Sequence, residues 1–77
     1  MVITELLKII NEIREFKGLS ELDTINHKTT LRYDCELDSF DLAELTVKIE
    51  ANSGKDIFQD GIVENVGEIL SQFNKTT

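Results

Sequence analysis

The sequence predicts an all-α fold: a small bundle of three main helices and a short fourth, with a long loop between the first two. Three observations carry this expectation. The chain has no Pro and only four Gly in 77 residues, too few turn formers for a small β-barrel. Apolar residues recur at three- and four-residue steps in separate stretches. One Cys and one His rule out an internal disulfide and a four-ligand Cys/His zinc site. A domain this small buries only about 60% of its unfolded surface, so its stability must come from helix packing.

The first helix is expected over about 2–17. Ile3, Leu6, Ile10 and Ile13 form its stripe, with Val2, Leu7, Ile9 and Phe16 widening it. Gly18 suits the left-handed position that ends a helix, and Leu19 can fold back onto the last turn. Residues 18–37 then read as the long connection, because their apolar residues lack sustained periodicity. Leu19, Leu22, Ile25, Leu31, Tyr33, Cys35 and Leu37 are its expected anchors. A connection of that length inside a small domain tends to serve function.

Asp38 is a good N-cap for a second helix over Ser39–Ala51, and Asp41 puts a carboxylate in its first turn. Asn52-Ser53-Gly54 ends it. Residues 56–60 are expected to make a short turn of helix around Ile57 and Phe58. The last helix opens at Asn65-Val66-Gly67-Glu68, which has the residues of a capping box. Its apolar face is Val66, Ile69, Leu70 and Phe73, and the tail 74–77 is expected to fray. No repeat or composition shift divides the chain, so 1–77 reads as one domain.

The net charge is −7 and is unevenly placed. Residues 1–17 balance, 18–38 carry −3 and 39–77 carry −4. Such a field repels nucleic acid and anionic membrane surfaces and suits a protein partner with a basic surface; solubility alone is the plainer reading. No apolar run approaches the roughly 20 residues of a membrane span. The N-terminus lacks a basic region ahead of its apolar stretch, so no signal peptide is expected. One free thiol suits a reducing, cytoplasmic setting.

The second helix carries two apolar faces. At about 100° per residue, Leu42, Leu45 and Ile49 cluster on one side and Phe40, Ala43 and Val47 on nearly the opposite one. A surface helix of a bundle needs one such stripe. The first set has the bulk of a core face. The second, edged by Glu44 and Glu50, looks like a docking strip for a partner with a basic rim, unless Phe40 merely covers the end of the connection. Ser39 adjoins that strip. The first turn of a helix, with free N–H groups and a positive end, suits a phosphate ester, whereas simple capping is the commoner role of a helix-starting Ser. His27, the one His, has no feature marking it as a base for Ser39 and reads as a solvated loop residue. No catalytic residue and no metal ligand set is expected.

At Leu37-Asp38-Ser39-Phe40-Asp41-Leu42-Ala43-Glu44-Leu45 the chain resembles the acyl carrier protein family, which opens its second helix with Asp-Ser-Leu. The likeness runs through about residues 2–73 and includes the approach Thr30-Leu31-Arg32-Tyr33-Asp34. It implies a carrier, not an enzyme, built on the family's helical bundle. The cofactor implied is phosphopantetheine, transferred from coenzyme A onto Ser39, with Asp38 assisting the loading. The arm would hold an acyl or aminoacyl cargo as a thioester. Asp41, Glu44 and Glu50 match positions that meet basic patches on partners, and Phe40 and Val47 match exposed apolar contacts. The implied partners are a phosphopantetheinyl transferase and cargo-loading ligases or synthases, with the carrier a monomer.

Several residues depart from the family pattern. Glu36 stands in place of Gly, Phe40 in place of Leu, and Ser53 and Lys55 where large apolar residues are usual. The stretch from Ile57 to Asn65 is short, and Lys48 and Ala51 make the second helix less acidic. These point to a specialised member. Asp-Ser-Phe also occurs in D-alanyl carriers, so an aminoacyl cargo stays open. So does an acidic helical interaction module with no prosthetic group. Cys35, four residues before Ser39, matches a buried aliphatic position and is expected to behave as a small buried hydrophobe.

Overall fold

The computed structural model describes residues 1–59 and 61–73. Three helices are present among them: α1 (Ile3–Phe16), α2 (Ser39–Ser53) and α3 (Val66–Phe73). None is long and apolar enough to cross a membrane. No strand forms among the described residues, and Thr30 and Asn65 make an isolated antiparallel bridge.

The ends of α1 follow from its sequence. Val2 is the N-cap but has no side-chain acceptor to offer; instead its own N–H donates to Glu5 Oε1 at 3.1 Å. At the other end Gly18 takes φ +77°. Gly18 N–H donates to Glu15 O and Leu19 N–H to Arg14 O, at 3.0 and 2.9 Å. This is the Schellman arrangement, and it turns the chain back along α1.

Leu6, Ile9, Ile10 and Ile13 of α1 meet Leu45 and Ile49 of α2 and Val66, Ile69 and Leu70 of α3 in one core. The connection contributes Ile25, Leu31, Cys35 and Leu37, and Ile57 and Val63 close the core before α3. Three expected members are exposed instead, Val2 at 58% among them. Phe16 is 91% and Tyr33 84% exposed. Phe16 and Arg14 lie on opposite edges of the α1 stripe, about 160° apart at 100° per residue. The connection crosses on the Arg14 side, which buries that residue and leaves Phe16 uncovered. The segment expected to make a fourth helix is a turn where it is described. Gln59 N–H reaches Asp56 O at 3.3 Å and Gly61 N–H reaches Phe58 O at 3.2 Å. Asp60 and the expected frayed tail 74–77 lie outside the described residues.

Residues 18–37 have no helix, yet side chains hold them at several points. The Asn11 amide works in both directions: its Nδ2 donates to Leu22 O at 3.0 Å and its Oδ1 accepts from Leu22 N–H at 2.8 Å. Buried Arg14 donates to Ser20 O through Nε and Nη2, and to Cys35 O through Nη1 at 2.7 Å. At the far side, Leu31 N–H donates to Glu64 O and Val66 N–H to Thr29 O. Gly67 N–H donates to His27 O at 2.9 Å, and a Cβ on Gly67 would stand 2.8 Å from that same oxygen. The glycine is therefore needed for the connection to lie against the start of α3. Asn65 caps this helix through Glu68 N–H at 2.9 Å, while the Glu68 carboxylate accepts from Glu64 N–H rather than completing the box on Asn65.

The two faces of α2 give the first prediction. Leu45 is fully buried and Val47 is 65% exposed. Leu45→Ala is expected to cost about 2–5 kcal/mol through the cavity it opens. Val47→Asp is expected to stay within about 0.5 kcal/mol of the parent. Thermal melts of both variants check the contrast; the reverse order would mean that α2 is rotated.

Candidate functional site

The start of α2 is built from two interlocked devices. The first is a complete capping box. Asp38 Oδ1 accepts from Asp41 N–H at 3.0 Å, and Asp41 Oδ2 accepts from Asp38 N–H at 2.9 Å. The second is Lys17, the last residue before the chain leaves α1. Its Nζ donates to Asp41 Oδ2 and to Glu36 O, the latter at 2.7 Å, and lies 3.9 Å from Asp38 Oδ2. One ammonium group thus ties the end of α1 to the residues on both sides of the α2 start.

Asp41 is consequently not part of the exposed acidic surface on which it was expected. It is buried, at 8% exposure, beneath Lys17. Burial by itself pushes its carboxyl upward. The Lys17 hydrogen bond, the Asp38 N–H and the Lys17 charge outweigh that, and hold it below the usual carboxylate range. Lys17 is raised above the usual lysine value, chiefly by its hydrogen bond to Asp41.

Glu36 explains how the chain turns into this corner. It is the one non-glycine residue with positive φ among those described, at +57°. This is the left-handed region, which costs an L-residue roughly 1–2 kcal/mol. The departure from glycine at this position therefore keeps the glycine-like backbone. Glu36 Oε2 lies 3.5 Å from Arg14 Nη1, and the Glu36 side chain is largely exposed, so the pair offsets little of that cost. Burial pushes the neighbouring Cys35 thiol up to about 11, which keeps it an inert hydrophobe as expected from the sequence.

Ser39 is the first residue of α2 and its side chain is exposed. Asp38 does the capping, so the Ser39 hydroxyl is not spent on the backbone. Its hydrogen bond among the described residues comes from Arg32 Nη2, at 3.2 Å. Ser39 opens onto a cleft of about 610 Å³ between α2 and Phe58, Ile62, Val63 and Glu64, with the 30–33 turn at its mouth. Leu42, Phe58, Ile62 and Val63 give it an apolar wall. Leu42, expected wholly in the core, is half-buried because it faces this cleft. Ala43 is exposed and also lies along the cleft.

The rest of the predicted site sits on the outer face of α2. Phe40 is 88% exposed, and Glu44, Val47 and Glu50 are exposed beside it. Lys48 reaches across to Glu12 at 3.5 Å and lies 3.9 Å from Glu44, so part of the Glu44 charge is already matched. His27 is exposed and far from any acid-base role with Ser39: its backbone carbonyl serves Gly67. Among the described residues, no cluster of three His, Cys, Asp or Glu side chains could hold a metal ion. Sequence reasoning missed Lys17 and Arg32. Lys17 lies 24 residues from Asp41 and Arg32 seven from Ser39, and the folded connection brings both side chains to the start of α2.

The Ser39 hydroxyl is exposed, is not the cap of α2, and lines the cleft. No family model matches the chain, and no curated protein or solved structure matches it significantly. The functional reading therefore rests on the residues and geometry of the site.

Two predictions follow from the corner. Asp41 is held below about 3.9, its usual value, so its stabilising effect is full above that pH and is lost as the pH falls through the lowered folded value. Thermal melts of Asp41→Asn should lie below those of the parent at neutral pH and converge with them in strong acid. Parallel curves down to about pH 2 would remove the ion pair as the cause. At position 36, glycine gains the left-handed backbone without strain but costs about 0.5–1 kcal/mol in unfolded-chain entropy. Glu36→Gly is thus expected to be neutral or up to about 1 kcal/mol more stable. Glu36→Val, β-branched and strained there, should be clearly less stable in the same denaturant titration.

Proposed function

We propose that this chain is a carrier protein of the acyl carrier kind, with a phosphopantetheine arm on Ser39. The observation that carries the reading is the state of Ser39 itself. A serine at the first position of a helix, released from capping by Asp38, exposed, and opening on an apolar cleft, is placed to be modified rather than to hold the helix. In the loading step Ser39 Oγ forms the new bond to phosphorus. The anhydride of coenzyme A breaks, its nucleotide half leaves, and the serine proton passes to a base of the transferase. The arm would supply a terminal thiol that holds cargo as a thioester. The chain itself supplies the attachment point, the cleft and the partner face, and performs no chemistry on the cargo.

The resemblance supplies the motif and the partners, and the structure adds two supports. The cleft's wall of Leu42, Phe58, Ile62 and Val63 favours an acyl chain over a small polar aminoacyl cargo. Phe40 and Val47, with Glu44 and Glu50 beside them, present an apolar strip with an acidic edge. Such a strip suits a transferase or synthase with a basic surface, which charge would steer into place. Asp41 is left out of that contact, since Lys17 covers it. Asp38 remains partly accessible beside Ser39, with a side-chain exposure of 65%. A monomeric, cytoplasmic carrier with this surface is the form proposed.

The test is mass spectrometry after incubation with coenzyme A and a broad-specificity phosphopantetheinyl transferase. The parent chain should gain the mass of one arm and Ser39→Ala none. The substitution removes only an exposed hydroxyl, so circular dichroism should show the fold kept and the melt moved by at most ~1 kcal/mol. A parent chain that gains no mass, or a Ser39→Ala chain that does, would end the carrier reading. The former result would favour an interaction module that uses the exposed face of α2 without a prosthetic group.

A further inference from the structure

We infer that Arg32 grips the phosphodiester of the arm and holds it on the cleft side of α2. This rests on the reading of Ser39 as the attachment residue. The chain has 15 acidic and eight basic residues, so a cation has many carboxylates to choose from. Arg14, Lys17 and Lys48 are each paired with at least one. Arg32, like Lys8, Lys28 and Lys55, forms no ion pair among the described residues; what sets it apart is that its Nη2 donates to Ser39 Oγ, at 3.2 Å. Once that oxygen becomes the ester oxygen, the two non-bridging oxygens that share the phosphodiester's single negative charge sit just beyond the phosphorus, within reach of the same guanidinium.

The residue type matters as much as the position. A guanidinium offers several N–H groups in a flat fork and matches two phosphate oxygens at once, and it sheds water more readily than an ammonium. Arg32 carries this fork at the mouth of the cleft, which Ser39 also lines. Phe40 and Val47 are on the outer face of α2. A phosphate held by Arg32 therefore points the arm along Leu42 and Ile62 and away from the face offered to partners. The side chain does not have to reorganise to do this, because it already addresses the oxygen to be modified. Arg32 is a positioning residue: it acts on the arm's resting place, and the thioester chemistry takes place beyond it.

The experiment compares holo-protein with its unloaded form, each first checked by mass. In the parent, the Arg32 side-chain N–H signals should exchange with water at least about twofold more slowly after loading, as expected for a charge-assisted hydrogen bond. In loaded Arg32→Ala, the ³¹P resonance should shift and narrow relative to the parent. Arg32→Lys should recover part of the effect, because it keeps the charge and loses the fork. Lys28→Ala, which removes a cation elsewhere in the connection, should leave the ³¹P signal unchanged. If the parent is loaded and neither its Arg32 signals nor the ³¹P signal of Arg32→Ala changes, the grip is absent while the carrier reading stands. If Arg32→Ala cannot be loaded, the Arg32 signals of the loaded parent decide the matter alone. If the parent is never loaded, both readings fall together.

Discussion

The Lys17 ammonium is the contact on which this small fold turns. It closes one helix and fixes the start of the next, by bonding Glu36 O and the Asp41 carboxylate at once. Asp41 in turn is the third residue of the α2 capping box. A chain with a single cysteine cannot use an internal disulfide to fix the angle at which a long connection re-enters a helix. Here an ion pair under partial burial does so, and the main-chain bond to Glu36 O ties it to a left-handed residue. The direction in which Ser39 points is a consequence of that junction.

The connection between α1 and α2 is held by polar contacts on the α1 side and by backbone pairing on the α3 side. Arg14 and Asn11 reach outward from α1 to backbone groups of the connection, one of which, Cys35 O, accepts in a buried bond. No buried side-chain nitrogen or oxygen is left unbonded among the described residues. That accounting matters because an unpaired buried polar group costs about 1–3 kcal/mol, a large fraction of the stability of a domain this size. On the far side, Gly67 lets His27 O approach α3, and the bridge to Asn65 holds Thr30, one of the residues that line the cleft. The same links that stabilise the connection therefore shape the candidate site.

The arrangement also separates tasks around α2. Leu45 and Ile49 face the core, Leu42 and Ser39 face the cleft, and Phe40 and Val47 face outward. A helix of this kind has little apolar asymmetry, since three directions each hold apolar side chains. A helix that only needed to fold would concentrate them on one. The extra faces are what the proposed carrier role uses, one for the arm and one for partners.

The sequence by itself determined the three main helices, because local rules suffice for them, whereas the short fourth helix it suggested at 56–60 is a turn where it is described. Apolar spacing marked α1 and α3, Gly18 and Gly54 marked helix ends, and Asp38 marked the start of α2. All of these are set by neighbours within about four residues. It also separated Leu45 from Val47, since helix geometry alone puts them on different faces. What only the tertiary structure decided is how charges and edges are used. Asp41 looks like a surface acid in sequence, and becomes a buried partner of Lys17 because the connection brings residues 24 apart together. Phe16 and Arg14 are equivalent edges of one stripe until the connection passes over one of them. Arg32 gains its place beside Ser39 in the same way. Local periodicity has no term for the path of an irregular segment; that path is set by the anchors it finds across the whole domain.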